Sequence, residues 1–226
     1  MRLLRNLITD NKEEYDMNKM AIGFHSAENG AYAIEGNNTN ILKQDYVTAI
    51  ALDPQINETP QYGSGKLLGK FKKDNGYTGN IGVTAQDPVL EESIGRTMAL
   101  TTGVGTVGGA TSKRLAGYYY EFKEETADKK TQQVKVWLLN VEIGASSINH
   151  ATDKDSLEFG EYQYPITVYG VPLQTSEGSE YLDENGVGRQ CFMITCRPND
   201  SGYKDFEKAV PTPKITSTTT PAAQTN

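Results

Sequence analysis

Cysteine is nearly missing from this 226-residue chain: Cys191 and Cys196 are its whole supply. Two thiols make neither a disulfide framework nor a four-ligand zinc site. Placed on one strand, five residues apart, they point to opposite faces and read as small, reduced, buried side chains. Histidine is as scarce, with His25 and His150 alone, and neither lies in a G-x-S-x-G or H-E-x-x-H context. Long apolar runs are absent as well. The longest fall far short of the roughly 20 residues that cross a bilayer. The opening MRLLRNLITD is broken at Arg5 and Asn6, short of the roughly 7–15 apolar residues of a secretory signal. Positive charge is in deficit, with 22 Lys and Arg against 29 Asp and Glu, a net charge of −7. Nucleic-acid affinity comes mostly from Lys and Arg displacing counterions, so the balance argues against a phosphate-gripping protein. The expectation is a soluble protein, made inside the cell, with no membrane partner.

What the chain does have favours strands. Gly numbers 22 and Tyr 13, against Phe 6 and Trp 1, a balance suited to strands and turns. Residues 1–19 read as an arm: Leu3, Leu4, Leu7 and Ile8 at helical spacing, then a polar stretch, too short to be stable alone. Residues 209–226 are rich in Thr and Pro and predict a disordered tail. The folded domain is then 20–208. Inside it, period-2 alternation marks strands at 46–51, 75–85, 117–125, 131–143, 162–171 and 189–197. ETADKK (125–130) and LDENGVG (182–188) read as hairpin turns. A helix is predicted over 86–103, capped by Asp87, entered by Pro88, striped by Leu90, Ile94 and Met98, and ended by Gly103. One helix among some seven strands predicts a mainly β fold, a β-sandwich or open barrel with one flanking α-helix. Two segments, 53–75 and 103–117, lack regular pattern. Both exceed the length at which loops in compact domains become uncommon, so they read as functional or as unfinished without a partner.

The motifs dissolve on inspection. Gly103-x-Gly105-x-x-Gly108 follows a helix and precedes a strand, the reverse of a dinucleotide site, and reads as a flexible loop. Gly65-Lys66 lacks the earlier Gly and the following Ser or Thr of a P-loop. It reads as a basic loop tip with Lys66, Lys70, Lys72 and Lys73 in solvent. Asp153, Asp155 and Glu158 lack the spacing of a calcium loop. Tyr118, Tyr120 and Phe122 share one strand face and read as core or subunit contact rather than a base-stacking platform. No catalytic, metal-binding or cofactor-binding residue is assigned.

The order of segments is similar to the major tail proteins of long non-contractile-tailed bacteriophages. An opening Ala21-Ile22-Gly23-Phe24 is followed by NGYTGNIGVTAQDPVLEESIG (75–95), read as the family's strand and helix. Then come GYYYEFKEETADKKTQQVKVWLLNVEI (117–143), SINHATDKDSLEFGEYQYPITVYGVPL (147–173) and a last strand near 189–197. The resemblance spans about 20–205 and leaves out residues 1–19 and the Thr-rich tail. It implies two packed sheets with a flanking helix, and rings of six stacked into a tail tube. It implies a virion protein assembled in the host bacterial cytoplasm. The implied partners are further copies of the chain, the tape-measure protein, the tail terminator and distal tail or baseplate proteins. DNA passes through the lumen without specific binding during genome ejection. It implies no enzyme activity and no cofactor. The resemblance places ring-to-ring contact on 53–75, with Asp53, Tyr62, Lys66, Lys70, Lys72, Lys73 and Asn75 as its candidate residues. That segment is expected to be disordered in the free subunit and to order on assembly. The competing classes are a carbohydrate-binding or adhesion β-sandwich and, more distantly, a hydrolase using His150 as base.

Overall fold

The computed structural model describes residues 21–64, 66–109, 112–148 and 160–215. In chain order the elements are β1 (Ala21–Ile34), β2 (Leu42–Gln44), β3 (Val47–Gly63), β4 (Lys66–Val83) and α1 (Pro88–Ile94). They continue with β5 (Thr97–Leu100), β6 (Gly103–Thr106), β7 (Ser112–Thr126), β8 (Thr131–Gly144) and β9 (Tyr162–Val168). The chain then adds β10 (Val171–Pro172), β11 (Gln190–Cys191), β12 (Met193–Cys196) and a 3₁₀ turn at Tyr203–Lys208. The main sheet is eight-stranded and antiparallel, in the order β2-β1-β7-β8-β9-β4-β3, with β12 attached to β8. It curls until β1 and β3 lie against each other without pairing, so no closed barrel forms.

The fork in this sheet sits on β8. One edge of β8 pairs with β7 along nearly its whole length. The other edge serves β12 from Lys135 to Leu138 and β9 from Val141 to Ile143. Asn140 stands between the two, with φ 52°. Its carbonyl still accepts from the Tyr169 amide at 3.0 Å, and its side chain donates to the Gly170 carbonyl at 2.8 Å and accepts from Arg114 at 3.0 Å. Left-handed backbone at a non-glycine residue is tolerated best by Asn, whose short amide can bond locally.

Alternation along β7 and β8 divides their side chains between two cores. Tyr118, Val134, Val136 and Leu138 enter the main one, with Ile81, Val83, Tyr164 and Ile166 from the facing strands. Tyr118 donates to Gln44 Oε1 at 2.6 Å, which satisfies a hydroxyl cut off from water. Tyr119, Trp137 and Leu139 point the opposite way into a smaller core, roofed by Val171, Ile194, Phe206 and Val210. Tyr119 and Trp137 pack as tilted rings 5.3 Å apart. Tyr118 and Tyr119 are therefore core on opposite faces of β7, while Tyr120 and Phe122 are half-buried.

The helix starts where the sequence marks it. Asp87 Oδ1 accepts from the Val89 and Leu90 amides at 2.9 and 3.1 Å, and Pro88 opens the first turn. Leu90 and Ile94 are buried in the main core, a burial of about 1.5–3 kcal/mol for each fully enclosed side chain. Glu91 is buried beside them and accepts from Ser146 Oγ at 2.6 Å. The expected length is wrong, however. Gly95 has φ 79° and closes the helix as a left-handed cap, its amide and that of Arg96 bonding back to Glu92 and Glu91. The residues beyond form the β5–β6 hairpin, so Met98 lies on a strand with its side chain in solvent rather than on the helix stripe.

Two further expectations are corrected. Residues 53–75 are not an irregular loop: they belong to one hairpin of β3 and β4, paired from Val47↔Val83 out to Gly63↔Lys66. The tail boundary also moves. Val210 packs on Trp137, its amide donates to the Asn38 carbonyl at 2.9 Å, and Lys214 bridges to Gln174. The folded unit runs through Ile215, because the apolar side chains among these Pro residues find the second core. Residues 1–20 and 216–226 lie outside the described residues, as do His150, Asp153, Asp155 and Glu158. Tyr46, expected within a strand, lies just before β3, with φ 67° and an exposed ring.

A charged clamp ties β12 to the far side of the sheet. Arg197 donates two bonds of 3.0 Å to the buried Glu124 carboxylate, which also accepts from Gln132 at 2.7 Å. The Arg197 guanidinium holds the Glu124 carboxyl below the usual glutamate range. A depressed carboxyl stabilises the fold above its unfolded pKa, about 4.3, and that contribution disappears as pH falls through the folded value. Arg197 is half in water, which discounts the pair. Glu124→Gln is expected to lose about 1–2 kcal/mol at pH 7 and to converge on the parent as pH drops below about 4. Urea titrations of both proteins across pH check this; a gap independent of pH would contradict it.

Candidate assembly surface

The β3–β4 hairpin leaves the body at a defined point. β4 pairs with β9 from Val83 back to Tyr77, opposite Val168, and no further. The next residue, Gly76, has φ 97°, and a Cβ there would lie 1.9 Å from the Val168 carbonyl oxygen. Only glycine fits that bend. Asp74 Oδ1 accepts the Gly76 amide at 3.0 Å, and the partner strand answers with a register shift between Pro54 and Ile56. Past this root, among the described residues, β3 and β4 pair only with each other. From Ile56 to Gly63 the ladder extends about 25 Å at strand rise.

Among the described side chains, nearly every position of this arm is exposed on both faces. Cross-strand partners on one face are Glu58 with Lys72 and Pro60 with Lys70. Glu58 contacts Lys72 at 2.8 Å and Lys70 at 3.5 Å. Both ion pairs lie in solvent and serve to orient side chains rather than to stabilise the fold. Among the described residues Lys66 and Lys73 have no ion pair. The end of the arm is apolar: Tyr62, Leu67 and Leu68 stand 67%, 50% and 68% exposed. Asp53 sits on the body side of the root, paired with Thr78, and Asn75 lies half-buried at the root itself. The structure thus gathers Tyr62, Lys66, Lys70, Lys72 and Lys73 on one projection. It separates from them Leu90 and Ile94, which hold α1 in the core.

Sequence reasoning missed the other apolar surfaces. Met98, Leu100 and Val104 are exposed on the β5–β6 hairpin, a two-stranded sheet separate from the main one. Ile56 adds to the arm, and Phe24 stands exposed on β1 with its ring edge-on to Phe122 at 5.6 Å. The signal was present in each case as an apolar residue in a short polar or Gly-rich segment, where no second face competes to bury it.

His25 lies between Ser26 Oγ, at 2.8 Å, and Glu125 Oε1, at 3.2 Å. The His25 side chain is half in water and its acid is shared with Thr131. Thr131 first, and then His25, hold the Glu125 carboxyl below its usual range. The arrangement resembles a relay in outline, but it is open to solvent, and we assign it no catalytic role. The described residues contain no group of three or more His, Cys, Asp or Glu able to hold a metal ion.

No family model matches the chain. No curated protein matches it in sequence. Among solved structures, a crystal structure of Hcp protein superposes with a TM-score of 0.35 at 7% sequence identity, over 63% of this chain and 88% of that one. A likeness this loose transfers neither architecture nor role.

Proposed function

We propose that the chain is a structural subunit of a hollow tube, the tail tube of a long non-contractile bacteriophage tail. In this reading rings of six stack into a conduit for DNA. The observation that supports it best is the β3–β4 arm. A strand pair projecting about 25 Å with an apolar end is a poor design for a monomer and a natural one for reaching a neighbouring ring. The outer edges of β2 and β3 end the sheet path, and such edges are a pairing hazard unless other copies cover them. The ordered segment resemblance points the same way.

On this reading the tape-measure, terminator and distal tail or baseplate proteins are the further partners. DNA passes without specific contact, and the protein resides in the virion tail after assembly in the bacterial cytoplasm. The net charge of −7 suits a wall that repels phosphate. Negative-stain imaging of concentrated full-length protein is expected to show stacked rings of uniform width. Isolated particles at every concentration would sink the proposal.

A further inference from the structure

The β3–β4 arm is the basic element of an acidic chain. Residues 56–73 hold four Lys against Glu58 alone, a net charge of +3, so the rest of the chain carries −10. Glu58 sets Lys70 and Lys72 side by side, while Lys66 and Lys73 have no ion pair among the described residues. At the end of the arm Tyr62 and Leu67 face each other across the strands. The register steps from Gln61↔Gly69 to Tyr62↔Leu67, which leaves Leu68 as a bulged residue with no cross-strand partner. Three exposed apolar side chains thus end a stem of positive charge.

A surface of the opposite kind lies in the connection between β10 and β11. Two tight turns shape it. The Gly178 amide donates to the Thr175 carbonyl at 3.0 Å and the Gly186 amide to the Asp183 carbonyl at 2.9 Å, both glycines having positive φ. Asp183 Oδ1 also accepts the Asn185 and Val187 amides at 2.9 and 3.0 Å. Residues 177–188 carry four acids and no base. Arg189 engages Asp183 at 2.5 Å, but Glu177, Glu180 and Glu184 are exposed and have no ion pair among the described residues. On the same turns Leu182 and Val187 stand 45% and 55% exposed.

We infer that the arm of one copy docks on the 177–188 turns of a second copy. Tyr62, Leu67 and Leu68 then meet Leu182 and Val187, and the arm's lysines meet Glu177, Glu180 and Glu184. Charge decides the occupant. A basic stem with an apolar end calls for an apolar patch rimmed by free carboxylates, and the chain itself carries one. Complementary potentials also speed encounter and fix register. The acceptor belongs to another copy because backbone pairing runs out to Gly63↔Lys66, and the end of the arm cannot fold back on its own body without breaking that ladder. Donor and acceptor are different surfaces, so the contact is heterologous and propagates from copy to copy. The inference rests on the tube reading in taking the arm as an assembly element and goes further by naming the surface that receives it.

The test places a benzophenone-bearing residue at Leu68 in the full-length protein and maps photo-adducts by mass spectrometry in a mixture of isotopically heavy and light chains. Mixed heavy–light adducts within 177–188 are the expected result. Adducts within one chain, adducts confined to another surface such as the β5–β6 hairpin, or none at all would overturn it. Charge reversal gives a second readout. Lys66→Glu, Lys70→Glu and Lys73→Glu together, or Glu177→Lys, Glu180→Lys and Glu184→Lys together, should each weaken association at low salt by roughly tenfold or more, and combining the two sets should restore it to within about threefold of the parent. A combined variant as weak as either set alone would overturn the inference. So would arm-dependent binding to phosphatidylglycerol vesicles in place of copy-to-copy adducts, which would give the arm to an anionic membrane. Tubes whose arms label a different surface end this contact and leave the proposed function standing. Discrete oligomers labelled at 177–188 support the contact and count against the tube.

Discussion

Combining Tyr62→Ser, Leu67→Ser and Leu68→Ser is expected to abolish polymerisation while leaving the subunit folded. The three side chains are half to two-thirds exposed in the isolated chain, so replacing them changes unfolding stability by no more than about 0.5 kcal/mol each. In a ring-to-ring contact each would be buried. A buried interface anchor is worth about 1–2 kcal/mol or more, so losing three weakens stacking by at least about a hundredfold. Sedimentation and imaging over a concentration series read the association, and urea melts read the stability. Tubes formed at the parent's concentration would show that the arm's end is not the stacking contact and would remove the main support for the tube reading. A Glu58→Lys variant separates charge from apolar contact. It breaks the pairing with Lys70 and Lys72 but keeps the tip, and should weaken assembly in a salt-dependent way.

Trp137→Ala is expected to be the most damaging single change inside the body, at about 3–5 kcal/mol. Trp137 is fully buried, and its Nε1 donates to the Phe206 carbonyl at 2.7 Å. Phe206 and Val210 pack against the same small core. The truncation opens a cavity and also unties the chain from 203 to 215. Its signature is local as well as global: amide exchange should rise sharply at the 3₁₀ turn and at Val210 before the main sheet responds. Trp137→Phe keeps most of the packing and loses the bond, for about 1 kcal/mol. Unchanged exchange across 203–215 in the alanine variant would show that Lys135, which pairs with Glu207 and bonds the Tyr203 carbonyl, holds the turn unaided.

The parts of the fold legible in the sequence were those where one side of a strand is dry. The alternation over 131–143 marks β8, whose Val134, Val136 and Leu138 enter one core and whose Trp137 and Leu139 enter the other. The Asp87-Pro88 start of α1 was readable because capping is local chemistry. Its end was not. Met98 continues the stripe by coincidence of spacing, but the left-handed conformation at Gly95 closes the helix before it. The β3–β4 arm was misread for a different reason. Its strands are wet on both faces, so nothing selects an alternating pattern, and a ladder held by backbone bonds leaves no hydrophobic trace. The segment was singled out by the resemblance and by its Gly and Lys content, while its strand-pair shape was missed.

The fork at Asn140 carries a mechanical consequence. In an ordinary sandwich two layers meet through side chains alone, and a shearing force can slide one across the other. Here both branches belong to one sheet and share β8, with β12 on its first half and β9 on its second. Pulling the branches apart would require breaking hydrogen bonds along β8 or straining its covalent backbone. Tension applied to either branch is therefore shared by the other through β8.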